Sequence, residues 1–262
     1  MKRLSMVVLL FFFLASPLGA ATMIEIKSND SISRIYSDGK KARMGMDESG
    51  YIIIDPAAGT AHTVIDAQKE VVKITLDEDV ATKEAKVDVK VKEAGAGPEI
   101  IGYSTMKYDF YINDQFCGSV FSSKKAMEEA QIQPVYTFIQ KMTAKMQALS
   151  SQFSPQNDPC LLGGAAMTEK VMALGLALKS VEKDGSVSSE IVKIDTKAQL
   201  PEKAFVIPEG YQVKDMNQMH ESMQQGMKNP DVDLGEMMKK LEESGDMPPE
   251  MLEQMKQMHS QQ

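Results

Sequence analysis

Apolar and polar residues alternate with a period of two through most of the chain's first half. Ala42, Met44 and Met46 are interleaved with Lys41 and Arg43, and Val72, Ile74 and Leu76 with Lys73 and Thr75. This is the spacing of half-buried strands. Asp38-Gly39 is a two-residue hairpin signal between Ile35-Tyr36 and Ala42-Met44. Glu48-Ser49-Gly50 and Pro56-Ala57-Ala58-Gly59 bracket an apolar run at 51–54. The alternation resumes at Val87, Val89 and Val91 against Asp88, Lys90 and Lys92, and at Met106, Tyr108, Phe110 and Ile112 against Lys107 and Asp109. An antiparallel sheet with one apolar and one wet face is expected.

The period becomes helical over residues 123–153. Ser123 is placed to cap a short helix carrying Ala126, Met127 and Ala130. Pro134 then stands where a first helical turn tolerates it, and Val135, Phe138, Ile139, Met142, Met146 and Leu149 fall on one stripe. Such a helix needs an apolar surface to cover, and the sheet supplies one. A loop with Pro155, Pro159, Cys160, Gly163 and Gly164 follows. A last hairpin is expected from Leu176, Leu178 and Val181 through Asp184-Gly185 to Val187, Val192 and Ile194, with the core ending near Tyr211.

The N-terminus adds an address. Lys2 and Arg3 precede an apolar run at 6–15, which passes Pro17 into Gly19, Ala20 and Ala21. That order is a cleavable secretory signal over residues 1–21, and the run is too short for the roughly 20 residues of a membrane span. No transmembrane segment is expected after cleavage, and the mature protein is expected in the periplasm or secreted. The formal charge of −8 includes Lys2 and Arg3, so the mature chain carries −10. This disfavours nucleic acid and anionic membrane held by charge. Cys117 and Cys160 are the chain's two cysteines, and in an oxidising compartment an even count favours one disulfide. Closing a loop of about 44 residues is worth roughly 4 kcal/mol on a loop-entropy argument; free buried thiols are the alternative.

Residues 212–262 differ from the rest. They hold ten of the 21 methionines, two of the three histidines, ten acidic and five basic residues, and no aromatics. Met216, Met219, Met223 and Met227 lie at i, i+3, i+7 and i+11, and Met251, Leu252, Met255 and Met258 form another stripe. Short amphipathic helices with thioether faces, or a disordered tail, are expected. Thioethers suit Cu(I), with Met219, His220, Met223, Met255, Met258 and His259 as candidate ligands for copper or silver. Adaptable methionine faces also serve for docking on the core or on a varied partner, and leucine within the same stripes points to docking.

The segments Asp38-Gly39-Lys40-Lys41-Ala42-Arg43-Met44, Gly102-Tyr103-Ser104-Thr105-Met106-Lys107-Tyr108, Gly175-Leu176-Ala177-Leu178, Asp184-Gly185-Ser186 and Phe205-Val206-Ile207-Pro208-Glu209-Gly210-Tyr211 resemble an exported bacterial family, domain of unknown function 4412. That family is similar to the LolA and LolB lipoprotein carriers. The resemblance spans roughly residues 23–211 and implies an α+β fold: a curved antiparallel half-barrel over residues 22–211, covered by helices around an apolar hollow. It brings no catalytic residues. The two cysteines and the methionine-rich tail depart from the carriers.

No Gly-x-Ser-x-Gly, phosphate-binding glycine loop, His-Glu-x-x-His or Cys-x-x-Cys is present. His62 stands without a recognisable base-and-orienter set and reads as structural. Asn229, Asp231, Asp233 and Gly235 fail as a calcium loop, with Leu234 and Lys240 at the decisive positions. The expectation is a non-enzymatic exported protein without a cofactor, binding an apolar small molecule or lipid, or an envelope protein. Its ligand is expected at Met44, Met46, Val89, Met106, Phe138 and Met142.

Overall fold

The computed structural model describes residues 21–29, 31–46, 50–76, 88–150, 159–162, 170–171 and 173–218. They contain one sheet of 12 strands. On one side stand β1 (Ala21–Ser28), β2 (Ser31–Ser37), β3 (Ala42–Met46), β4 (Gly50–Asp55), β5 (Thr60–Ile65) and β6 (Glu70–Thr75). On the other stand β7 (Val89–Ala96), β8 (Met106–Ile112), β9 (Gln115–Ser123), β10 (Leu176–Glu182) and β11 (Val187–Ala198), and β12 (Gln212–Asp215) closes the series. The order across the sheet is β12-β6-β5-β4-β3-β2-β1-β11-β10-β9-β8-β7.

Two meanders therefore stand back to back, joined where β1 pairs with β11. Short turns link consecutive strands from β1 to β6 and join β8 to β9 and β10 to β11, whereas a long helical connection separates β9 from β10. The hairpin signalled at Asp38-Gly39 forms, but with a wider loop than two residues. Ser37 pairs with Ala42, and the Asp38 carboxylate accepts from the amides of Lys40 and Lys41. Gly39 takes φ +84° in this loop, a conformation that costs glycine least.

Between β9 and β10 the chain forms α1 (Lys124–Ala130), α2 (Gln133–Ser150) and α3 (Pro159–Leu162). Ser123 caps α1 by accepting from the Ala126 amide at 3.4 Å. Gln131, at φ 52°, ends it in the left-handed conformation, and Pro134 occupies the first turn of α2. Ala126, Met127, Ala130, Ile132, Val135 and Phe138 share one apolar cluster with Ile24, Ile35, Ala42, Ile54, Ala61, Ile74, Leu176, Leu178 and Ile191 of the sheet. Val135, Phe138, Ile139 and Met142 of the helical stripe thus form a single core with the inward strand positions, while the side chains of Met146 and Leu149 lie outside the described residues.

The expectation of one wet face fails in the β4–β6 region. Tyr51, Ile53, Val64 and Val71, which alternate with the residues of the principal core, form a second cluster with Phe205, Ile207 and Tyr211. The segment 205–211 crosses the reverse face there, and the Tyr211 hydroxyl donates to Asp66 at 2.9 Å. The apolar run at 51–54 is continuous because both of its faces are covered.

The sheet also continues past Tyr211. β12 adds to β6 in parallel, Gln212 opposite Glu70 through Asp215 opposite Lys73, and Met216 packs against the principal core. The buried Lys145 ammonium of α2 donates to the Thr75 carbonyl at 2.6 Å and to the Asn217 carboxamide at 2.9 Å. Cys117 and Cys160 are bonded, with Cα atoms 5.4 Å apart, tying β9 to α3 as the sequence leads one to expect. Among the described residues, no helix is long and apolar enough to cross a membrane.

Candidate ligand site

The corner between α1 and α2 sits over the seam of the two meanders, and a hollow of about 120 Å³ lies beneath it. Ile132 and Tyr136 form its roof, Ile24, Ile26 and Ile35 one wall, and Leu176, Ala177, Ser180, Ser189 and Ile191 the other. The capping geometry places the roof: the left-handed Gln131 ends α1 and turns the chain so that Ile132 enters the core ahead of α2. Gly175 lets the start of β10 pass close to the start of α1. A Cβ there would stand 2.7 Å from the Ser123 carbonyl and the Lys124 nitrogen, at φ +111°.

The walls owe their shape to irregular pairing. The β1–β11 register shifts between Glu25 and Ile26, the β10–β9 register between Ala177 and Lys179, and the β10–β11 register between Ser180 and Val181. Such bulges bend a strand and re-aim its side chains. Ile26, Ile191, Ala177 and Ser180 all flank one of these shifts and all line the hollow.

Seven of the ten lining residues are aliphatic, the other three carry hydroxyls, and none is charged. Lys179 and Glu190 lie next to Ser180 and Ser189 in the ladder and pair with each other at 3.5 Å. Burial pushes the Tyr136 phenol pKa up. At about 120 Å³ the hollow is smaller than the roughly 300 Å³ at which drug-sized pockets begin. It approaches the roughly 150 Å³ of apolar cavities that admit benzene.

The six residues expected to bind a ligand do not come together. Met44, Phe138 and Met142 belong to the principal core or pack against it. Met46 ends β3, opposite Gly50. Met106 is half-buried at the start of β8, opposite Ala96 and Ser122, and Val89 packs with Ile112 and Cys117 in a separate cluster beside the disulfide. None of the six lines the hollow. Its own residues come from four strands and a helix corner far apart in sequence. Alternation signals that such residues are buried, not that they meet.

His62 lies in β5 opposite Ile53 and Lys73. Burial lowers its pKa, the Lys73 charge lowers it further, and Asp55 partly opposes them. The described residues contain no group of three or more His, Cys, Asp or Glu side chains able to hold a metal. The candidate soft-metal ligands Met219, His220, Met223, Met255, Met258 and His259 lie outside the described residues.

The chain matches no protein-family model and no curated protein. Among solved structures it is similar to an uncharacterized conserved protein from Thermus thermophilus, with 9% identity over 76% of this chain and 91% of that one, at a TM-score of 0.41. It is also similar to MucB, with 13% identity over 74% of this chain and 59% of MucB, at a TM-score of 0.28.

Proposed function

We propose that this is an exported, non-catalytic binding protein that holds a small apolar ligand, or the end of an acyl chain, between the α1–α2 corner and the seam of the sheet. The observation that carries this reading is the charge-free hollow beneath Ile132 and Tyr136, bounded by strands that bulge at that place. Ala126, Met127, Ala130, Val135 and Phe138 pack in the principal core with the sheet. A hollow is costly in a close-packed interior, because its lining forfeits dispersion contacts, so a ligand that fills it recovers them. On this reading the fold is the half-barrel of the LolA-like carriers, with the helices on its concave side.

The test is saturable binding of a neutral naphthylamine fluorophore to the exported chain, before and after Ser189→Phe. The phenyl ring of the variant would occupy the hollow from one wall. Binding in the micromolar range that the substitution abolishes is expected. Absence of saturable binding, or binding indifferent to Ser189→Phe in a variant that still melts cooperatively, would overturn the proposal.

A further inference from the structure

We infer that the hollow selects an uncharged ligand whose headgroup offers a hydrogen-bond acceptor, an alcohol or an ester rather than a carboxylate or an amine, and that Tyr136 is the residue that recognises it. The inference rests on the binding reading above and adds the chemistry of the ligand. A buried carboxylate or ammonium needs a partner of opposite charge, without which its desolvation is uncompensated. The lining offers no charged residue, and the adjacent Lys179 and Glu190 are already paired to each other. What it offers instead is three hydroxyls, those of Tyr136, Ser180 and Ser189.

The three hydroxyls are not equivalent. Ser180 and Ser189 face each other across the β10–β11 ladder and come from strands whose register shifts beside them. Tyr136 comes from α2, where its amide is satisfied by the Ile132 carbonyl at 2.9 Å. Its side chain packs against the principal core, and burial pushes its phenol pKa up. A phenol packed against the core on the roof of an apolar hollow is a donor suited to a neutral oxygen. The aliphatic wall of Ile24, Ile26, Ile35 and Ile191 then takes the apolar body.

The experiment displaces the fluorophore from the full exported chain with hexanol, methyl hexanoate, hexanoate, hexylammonium and benzene at pH 7, in the wild type and in Tyr136→Phe. Hexanol and methyl hexanoate are expected to bind at least about 10-fold more tightly than hexanoate or hexylammonium, because only the charged ligands lose solvation without a partner. Tyr136→Phe is expected to weaken the alcohol and ester by about 3- to 10-fold, the worth of one neutral hydrogen bond, and to leave benzene unchanged. Equal or tighter binding of hexanoate would overturn the inference, as would a Tyr136→Phe variant that binds hexanol as the wild type does. If benzene displaces the fluorophore while the headgroups are not distinguished, the headgroup inference alone falls. If nothing displaces it, the binding proposal falls as well.

Discussion

The two arms of the sheet solve the same packing problem in opposite ways. From β1 to β6 the register of every antiparallel pair is unbroken. From β1–β11 out to β7–β8 every pair carries at least one register shift. The regular arm keeps strict alternation, so β4, β5 and β6 can present one apolar set to the principal core and another to the 205–211 segment. The bulged arm gives up that regularity. Its apolar residues divide among the principal core and two small clusters, and a disulfide joins β9 to α3 within one of them. Continuous registers make packing efficient, whereas bulges make room. The hollow lies where the two regimes meet.

The largest effect that would break this comparison is the loss of the disulfide. Its two cysteines are 43 residues apart, and the double substitution Cys117→Ala with Cys160→Ala is expected to cost about 4 kcal/mol by loop entropy, read as a lower urea midpoint. A double variant as stable as the wild type would show that the bulged arm needs no staple. Next come Ile54→Ala and Ile53→Ala, adjacent positions that face the principal core and the reverse cluster respectively. Each is expected to cost about 3 kcal/mol. On a sheet with one wet face only Ile54→Ala would do so, and an Ile53→Ala cost below about 1 kcal/mol would contradict the two-sided arm.

Much of this was legible in the sequence, and the failures share a cause. The strands at 42–46, 70–75 and 106–112, the Ser123 cap and the Pro134 first turn follow from spacing, and spacing is local; the Cys117–Cys160 bond follows from an even cysteine count in an exported chain. What escaped is non-local. The 205–211 segment has no periodicity to mark it, yet three of its side chains cover a sheet face. The hollow depends on bulges, which alternation cannot register, and on β1 meeting β11. β12 was missed because it is four residues long, its Val213 is 54% exposed, and its partner β6 lies far back in the chain, at Glu70–Thr75.

That strand carries the third prediction. The composition change at residue 212 suggests that everything after Tyr211 is dispensable to the core. The structure instead expects a chain ending at Tyr211 to be less stable by about 2 kcal/mol than one ending at Gln218, since it loses the β12–β6 pairing and one acceptor of the buried Lys145. Thermal melts of the two truncations compare them directly. Equal midpoints would return the boundary to Tyr211.

The smallest expected effect concerns His62, which belongs to the regular arm and tests whether its reverse face is as well covered as its packing implies. Burial and the Lys73 charge depress the His62 pKa in the folded protein, and Asp55 only partly opposes them. The unfolded chain, with histidine near its ordinary value of about 6.5, therefore binds the proton more readily than the native state. Stability from this group is fully present above about pH 6.5 and is lost as the pH falls through that value toward the lower folded pKa. The carboxylates of Asp55, Asp114 and Asp184, whose pKa values are also lowered, act in a separate window, below their unfolded value of about 3.9. Between pH 8 and pH 5 the histidine contribution can thus be read apart from theirs. His62→Gln removes the titration while keeping a neutral polar side chain. The wild type is expected to lose more stability than the variant over that interval, by less than the truncation costs, with the added amide exchange confined to β4, β5 and β6. A wild type and variant with parallel pH profiles would mean that water reaches His62 freely, and that the cover on the reverse face stops short of the Ile53 row.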